Sequence, residues 1–264
     1  MSGGNLDYGG QRRNMEDDSM RGTLAAQANV IWPKEREILR RRHAMRMGRV
    51  LDLACGTGEI LRRVRDEFRP RLATGLDLFR GHLLLARGPV VQGDGYRAPF
   101  KDGAFDLVLV RHVLQALPDP VGLLREARRL LAPGGRAHLL VEDYAAILFD
   151  VDDYATADHF REVAPRFRAR GTDLYQGRRI VRHLRAAGFS RVEVEPLLVD
   201  NLTADRDELA KVFHWWREGY ASVLAEVTGR SEAEIRARFD RMIDNVRDPG
   251  RYAAWLLLAV DAAP

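Results

Sequence analysis

VLDLACGTGE, residues 50–59, is the stretch that decides the fold of this 264-residue chain. The run 49–54 predicts a short buried strand, and the segment 59–67 that follows it predicts a helix. Gly56 and Gly58 lie between them, where the backbone must turn sharply and come close to a ligand, which a Cβ would block. Strand, glycine turn and helix in this order indicate the nucleotide-binding crossover of an α/β fold.

Two better-known glycine motifs do not fit this stretch. A dinucleotide fingerprint would have a third glycine at position 61, where the chain has Leu61. A phosphate-binding P-loop would have a lysine directly after its last glycine, but Glu59 stands there, and its charge would repel phosphate groups. Both alternatives therefore lose support.

The alternation of strands and helices continues along the chain from this motif. Pro133, Gly134 and Gly135 end a helix predicted over 122–132 and turn the chain into the next strand. Further strands are predicted at 72–76, 90–91, 105–110, 136–141, 192–194 and 254–260. Such alternation predicts a parallel sheet that binds its ligand outside the carboxyl ends of the strands.

Composition sets limits on the class of protein. With 46% hydrophobic and 30% charged residues, the chain can bury an ordinary globular core. The single cysteine, Cys55, excludes an intramolecular disulfide and a multi-cysteine metal site, so we expect no metal. No leader and no apolar run of about 20 residues is recognisable, which predicts a cytoplasmic protein without a membrane partner.

The chain divides into two regions on this pattern. Residues 1–46 are predicted as an N-terminal arm and helical cap, of which 1–21 form a flexible arm. Residues 47–264 are predicted as the α/β domain, interrupted by a lid insertion at 143–176 and a helical insertion at 201–249. Within the second insertion, Ser231 and Glu234 have the spacing of a capping box, which places a helix start there.

The ordered motifs over 50–142 resemble the class I S-adenosylmethionine-dependent methyltransferases. The acid-initiated series Asp52, Ala54, Cys55, Gly56 and Gly58 carries this resemblance. It implies a Rossmann-like three-layer α/β/α sandwich with a mostly parallel seven-stranded sheet plus helical insertions. It also implies S-adenosyl-L-methionine as cofactor, with the glycine turn beside its methionine part.

Two further acids follow at successive strand ends. Asp77 comes 21 residues after Gly56, where a carboxylate can accept both hydroxyls of a ribose. By resemblance Asp77 binds the ribose, Leu78 packs on the adenine, and Asp94 accepts from the adenine amino group. Either acid alone is also what an ordinary loop contains, so the argument depends on their order. The remaining residues predicted at the cofactor are Gly95 and Arg111.

The reaction centre is predicted beside the end of strand 105–110, again by resemblance. This places His112 near the transferable methyl group, as a candidate general base or as a polar wall. Methyl transfer depends mainly on alignment and exclusion of water, so a base is optional. Candidate substrate contacts are Tyr144, Tyr175 and His159, while the arm with Tyr8, Met20 and Arg21 is expected to fold over the cofactor.

The predicted function is methyl transfer to an oxygen or nitrogen of a small-molecule acceptor. The two insertions favour an enclosed site, so a nucleic-acid partner is not expected, although an RNA-modifying methyltransferase remains an alternative. A non-catalytic S-adenosylmethionine-binding protein and an NAD-dependent oxidoreductase are the other two. A homodimer is compatible with the sequence.

Overall fold

The computed structural model describes residues 18–264. Most of the predicted arm, including Tyr8, lies outside these residues. The prediction of an arm was wrong for 18–21, which form the first turn of a helix. These residues are held in the helix because Ser19 is buried against Gly219 of a later helix.

The helices and strands follow one another along the described chain in the predicted alternation. In chain order they are α1 Asp18–His43, β1 Arg49–Leu53, α2 Glu59–Phe68, β2 Leu72–Asp77, α3 Arg80–Leu83, β3 Val90–Gln92, β4 Phe105–Arg111, α4 Pro120–Leu130, β5 Leu131–Phe149, α5 Tyr154–Ala157, α6 His159–Arg168, α7 Gln176–Ala186, β6 Arg191–Asp200, α8 Arg206–Thr228, α9 Glu232–Arg247 and β7 Ala253–Ala263.

The strands of residues 18–264 form one seven-stranded sheet in the order β3-β2-β1-β4-β5-β7-β6. Neighbours from β3 to β5 are parallel, and β7 runs antiparallel to both β5 and β6. The predicted mostly parallel, Rossmann-like sheet is confirmed. Its order reverses direction at β1 and β4, so the carboxyl ends of these two strands border the crevice where such sheets bind ligands.

Strand β4 shows why the molecule has three layers. Its apolar residues alternate, so Leu107 and Leu109 face a cluster with α1 and α2, whereas Val108 and Val110 face a cluster with α4 and α7. Since both faces are buried here, the strand needs apolar side chains at these four positions, and the sequence has them.

Strand β5 is much longer than the predicted 136–141. Its first residue, Leu131, pairs with Phe105, and the register then shifts before Arg136 pairs with Leu107. The segment Pro133, Gly134 and Gly135 is therefore an irregularity near the start of the strand. Beyond another irregularity, Ile147 pairs with Trp255. The first seven residues of the predicted lid are therefore strand, because the long β7 offers them a pairing partner.

Helix α1 continues through Pro33 without ending there. Its buried side chains contact two different clusters, with Ile31 against the insertion helices and Leu39 against β1 and α2. The helix therefore joins the second insertion to the sheet.

The second insertion consists of α8 and α9, and the capping box at Ser231 and Glu234 is present at the start of α9. Phe213 and Trp216 of α8 and Phe239 of α9 pack in one cluster with Trp255 of β7. Among residues 18–264, no helix is both long enough and apolar enough to span a membrane.

Candidate active site

The glycine turn after β1 is held against the end of β2. The amides of Ala54 and Cys55 both donate to the carbonyl of Leu76, at 2.8 and 3.0 Å. Ala54 has φ +66°, a strained value for a residue with a side chain, and Gly56 has φ +53°. The chain therefore leaves β1 in a sharp bend that the neighbouring strand enforces.

Helix α1 covers this turn. A Cβ built on Gly56 would lie 2.9 Å from Cδ1 of Leu24. Glycine is thus required here by the left-handed backbone and by a close approach of the chain's own helix, whereas the sequence suggested only a ligand.

Asp77 is fixed at the end of β2. It is buried, its Oδ2 accepts from the Gly56 amide at 2.8 Å, and its Oδ1 accepts from the Phe79 amide at 2.9 Å. A carboxylate oxygen has two acceptor sites, so both oxygens keep capacity for a ligand's hydroxyls. Asp94, after β3, is oriented in the same way by the Tyr96 amide at 2.9 Å.

A cavity of about 240 Å³ lies at this edge of the sheet. One water needs only roughly 10–15 Å³, so the cavity has room for a ligand of many atoms. It brings together most of the residues predicted at the site, namely Asp52, Ala54, Cys55, Gly56, Asp77, Leu78, Asp94, Gly95, Arg111, His112 and Tyr144.

Three predicted site residues do not line this cavity: Gly58, Tyr175 and His159. His159 lies behind the wall, with its ring 5.2 Å from Phe160 and 5.5 Å from Phe239 between ring centroids. Burial, assisted by the nearby guanidinium of Arg238, lowers the pKa of His159 to about 4, so it is a neutral core residue.

Tyr175 packs under the guanidinium of Arg178, 4.1 Å from the ring centroid. Its position is explained by this stacking interaction without reference to a substrate.

His112 is held by a buried carboxylate. Its Nδ1 lies 2.7 Å from Oε1 of Glu142, and both side chains are more than nine-tenths buried. Because a carboxylate only accepts, Nδ1 donates, which leaves Nε2 as an acceptor in the neutral imidazole. Within the described residues, Nε2 has no hydrogen-bond partner.

The backbone of His112 is also unusual, with φ +50°. The side-chain amide of Gln115 donates to the His112 carbonyl at 2.8 Å, which stabilises this conformation. A base oriented by a carboxylate, next to a cavity and on a strained backbone, is an arrangement typical of catalytic sites.

Arg111 lines the cavity but its charge is already compensated. Its Nε and Nη2 each lie 2.7 Å from an oxygen of Glu35, which is fully buried on α1. Burial opposes ionisation of Glu35, yet Arg111 and the nearby His138 outweigh it and lower the pKa of Glu35 to about 2.

The same network continues away from the cavity. Nδ1 of His138 lies 2.8 Å from Oδ1 of Asp261 on β7, and Nε2 of His43 lies 2.5 Å from the same oxygen. The two histidines and the aspartate are close enough to share a metal ion. Arg42 already forms an ion pair with Asp261, however, so the negative charge that a metal ion would need is already neutralised. The cluster is best described as an ion-pair network joining α1, β5 and β7.

Asp52 lies below the glycine turn and is buried. Its burial raises the pKa to about 7, although Arg111 opposes the shift. The charged residues that line the cavity are Asp52, Glu59, Asp77, Asp94 and Arg111. This excess of acids would repel phosphates and suits a cationic nucleoside, and the glycine turn and the acids at two strand ends fit S-adenosylmethionine in particular.

Sequence reasoning missed the residues that close the cavity on its far side. Trp216 and Tyr220 lie on α8, and the apolar pattern of such a helix does not distinguish a face that only packs from one that also lines a cavity. The other residues missed were Thr23, Leu24 and Gln27 of α1, Gln115, Phe160, Val163, Phe167, Thr172, Leu174, Leu224 and Phe239.

Comparison with known sequences agrees with this geometry. The family described as "Methyltransferase domain" matches residues 51–139, from β1 into β5. A demethylmenaquinone methyltransferase of Listeria welshimeri is 32% identical over 130 residues, which are 45% of this chain and 54% of that protein. The chain spans about half the length of the curated relatives it matches.

Comparison with solved structures shows the fold. The phosphoethanolamine N-methyltransferase 2 of Haemonchus contortus, in complex with S-adenosyl-L-methionine, has a TM-score of 0.57 at 19% identity, over 97% of this chain and 60% of that one. The [4+2]-cyclase SpnF has a TM-score of 0.53 at 21% identity, over 86% and 80%. Proteins of this fold therefore differ in the reaction they perform.

Proposed function

Because residues 51–139 carry a class I S-adenosylmethionine-dependent methyltransferase domain, we propose that this chain transfers a methyl group to an oxygen or nitrogen of a small-molecule acceptor. One observation carries the proposal. The glycine turn, Asp77 and Asp94 line the same cavity as His112. Glu142 binds Nδ1 of His112, which leaves Nε2 as the acceptor in the neutral imidazole. A cofactor site and a candidate base thus share one cavity.

The chain's own residues have separate tasks in this proposal. Asp77 and Asp94 bind the two ends of the adenosine, and helix α1 excludes water above the glycine turn. His112 takes the proton that the acceptor loses, and Glu142 stabilises the resulting imidazolium. When bound, S-adenosylmethionine would supply the electrophilic methyl group, with its sulfur keeping the electron pair of the carbon–sulfur bond.

A small acceptor is supported by the four helices that line the cavity, α1, α6, α8 and α9. The name of the Listeria relative also refers to a small molecule, demethylmenaquinone. RNA modification is the alternative, and it predicts binding that weakens steeply with salt because phosphate contacts release counterions. Binding of a small acceptor is expected to change little with salt.

A second candidate is a protein that binds the cofactor without transferring its methyl group. The likeness to SpnF, a [4+2]-cyclase with this fold, favours this candidate. Formation of S-adenosylhomocysteine with any acceptor from a metabolite screen would exclude it.

The cofactor site is tested by calorimetry with S-adenosylhomocysteine. Asp77→Ala is expected to weaken binding by roughly 10–100-fold, because a charge-assisted pair of hydrogen bonds is lost. Asp66→Ala serves as the matched control, since Asp66 is an exposed acid on α2 and its removal should leave affinity unchanged. Equal affinity of Asp77→Ala and the parent protein would overturn the assignment.

We also propose that the protein is cytoplasmic, because a single cysteine suits a reducing compartment. A homodimer is a further proposal, and sedimentation at several protein concentrations tests it.

A further inference from the structure

The cavity changes character with distance from the glycine turn. We use the name aromatic end for the part lined by α6, α8, α9 and the segments around them. Its residues are Tyr144, Phe160, Val163, Phe167, Thr172, Leu174, Trp216, Tyr220, Leu224 and Phe239. None of them is charged at neutral pH, and burial raises the pKa of Tyr144 well above its usual value. All the charged lining residues belong to the cofactor side.

The charges nearest to the aromatic end are already paired behind it. Arg238 lies 2.7 Å from Glu162, and Asp143 lies 2.5 Å from Arg178. Glu142 is bonded to His112. A phosphate, carboxylate or ammonium group placed here would lose its water without gaining an opposite charge, which disfavours its binding.

The aromatic side chains form flat apolar walls. The ring centroids of Tyr144, Phe160 and Trp216 are 5.4 to 5.7 Å apart, and Phe160 meets Trp216 edge to face. Such walls favour a planar ring as a guest. Trp216 is also packed edge to face with Phe213 and Trp255.

His112 lines the cavity, and its Nε2 is a buried atom. Nε2 of His112 is an acceptor in the neutral tautomer that Glu142 selects, and the described residues provide it with no donor. A buried acceptor of this kind is costly unless a ligand supplies the donor. A hydroxyl on the guest does so.

We propose that the aromatic end binds an uncharged, largely apolar ring compound whose hydroxyl group donates to Nε2 of His112. This inference rests on the proposed function and narrows its acceptor to a phenol-like molecule. It excludes phosphorylated acceptors and quaternary or protonated amines.

The first experiment is calorimetry on protein saturated with S-adenosylhomocysteine. Three probes are titrated: 2-naphthol, 2-naphthyl phosphate and phenyltrimethylammonium. We expect 2-naphthol to bind at least tenfold more tightly than either charged probe. Equal or tighter binding of a charged probe overturns the inference, and so does a failure of 2-naphthol to bind. Loss of S-adenosylhomocysteine binding would instead contradict the proposed function.

The second experiment tests the hydroxyl. The parent protein is expected to bind 2-naphthol at least fivefold more tightly than naphthalene, and His112→Asn is expected to abolish this preference while affinity for S-adenosylhomocysteine stays within twofold. An unchanged preference in the variant would show that the hydroxyl is not recognised by His112.

The third experiment tests the walls with a matched pair of substitutions. Trp216→Leu should weaken 2-naphthol binding at least tenfold, whereas Trp32→Leu, a buried tryptophan of the cluster around β1, should not change it. If Trp216→Leu does not fold, Phe239→Leu replaces it with the same expectation. Unchanged binding in the folded variant would place the guest elsewhere.

Discussion

At the scale of single residues, His112 combines a strained backbone with an oriented imidazole. Its partner could not be found from the sequence, because Glu142 is 30 residues away. Arg111 pairs with Leu140 across β4 and β5, so the side chains just beyond these positions meet. The contact depends on the register between β4 and β5. The sequence does not predict this register, because Pro133, Gly134 and Gly135 suggest a turn although β5 already begins at Leu131.

Exchange of Glu142 for glutamine tests the orientation of the base. An amide can donate as well as accept, so the tautomer of His112 is no longer selected. We expect Glu142→Gln to slow methyl transfer roughly 10–100-fold, the scale of general-base effects, with unchanged affinity for S-adenosylhomocysteine. Single-turnover measurement of S-adenosylhomocysteine formation gives the rate. A rate equal to that of the parent protein would show that His112 does not act as a base.

At the scale of elements, helix α1 packs on α8 through two glycines. A Cβ on Gly22 would lie 2.2 Å from the ring of Trp215, and one on Gly219 would lie 2.5 Å from Oγ of Ser19. The first turns of α1 are thereby brought close to α8, and Met20, Thr23, Leu24 and Gln27 reach the cavity. The sequence indicated a helix here but gave no sign of this contact, which is between distant segments.

Gly219→Ala should separate the two helices. Alanine usually improves a helix by about 1 kcal/mol over glycine, but overpacking here is expected to cost about 1–3 kcal/mol. We also expect weaker binding of S-adenosylhomocysteine, because the lining residues of α1 shift. Thermal unfolding and calorimetry measure the two effects. Gly81→Ala, where a Cβ would meet nothing within 4 Å, should be neutral in both; equal behaviour of the two variants would contradict the close contact.

The ion-pair network between α1, β5 and β7 predicts a dependence of stability on pH. Burial opposes protonation of His138, but Asp261 and Glu35 outweigh it and raise its pKa to about 9. A pKa raised on folding gives stability that is complete below the unfolded value of about 6.5 and is lost as the pH rises through about 9.

We therefore expect the free energy of unfolding to fall by about 1–3 kcal/mol between pH 6.5 and 9.5. Urea titrations at both pH values measure this loss, and His138→Gln should be less stable at pH 6.5 but nearly independent of pH across the same range. A parent protein equally stable at both values would contradict the charged state of His138.

At the scale of the whole molecule, the sheet could be predicted from the sequence, whereas the cavity beside it could not. Strands such as β4 carry an uninterrupted apolar run, here 107–110, and that local pattern identifies a buried parallel sheet. The cavity depends instead on which helices meet over the sheet. The stripe containing Trp216 predicts a helix and a buried face, but the same pattern serves a core wall and a binding wall.

The insertion of α8 and α9 shares one cluster with β5 and β7 through Trp216 and Trp255. We therefore expect one cooperative unfolding transition, with coincident curves from far-ultraviolet circular dichroism and tryptophan fluorescence. Two separated transitions would show that the insertion folds as an independent unit.

The position of α1 has a practical consequence for handling the protein. Met20, in the first turn of the described helix, already lines the cavity. A fusion partner joined directly to Asp18 would thus begin beside the cavity, whereas one joined after Pro264 extends from the opposite border of the sheet, where β7 ends beside Ser190. Purification handles are better attached at that second end.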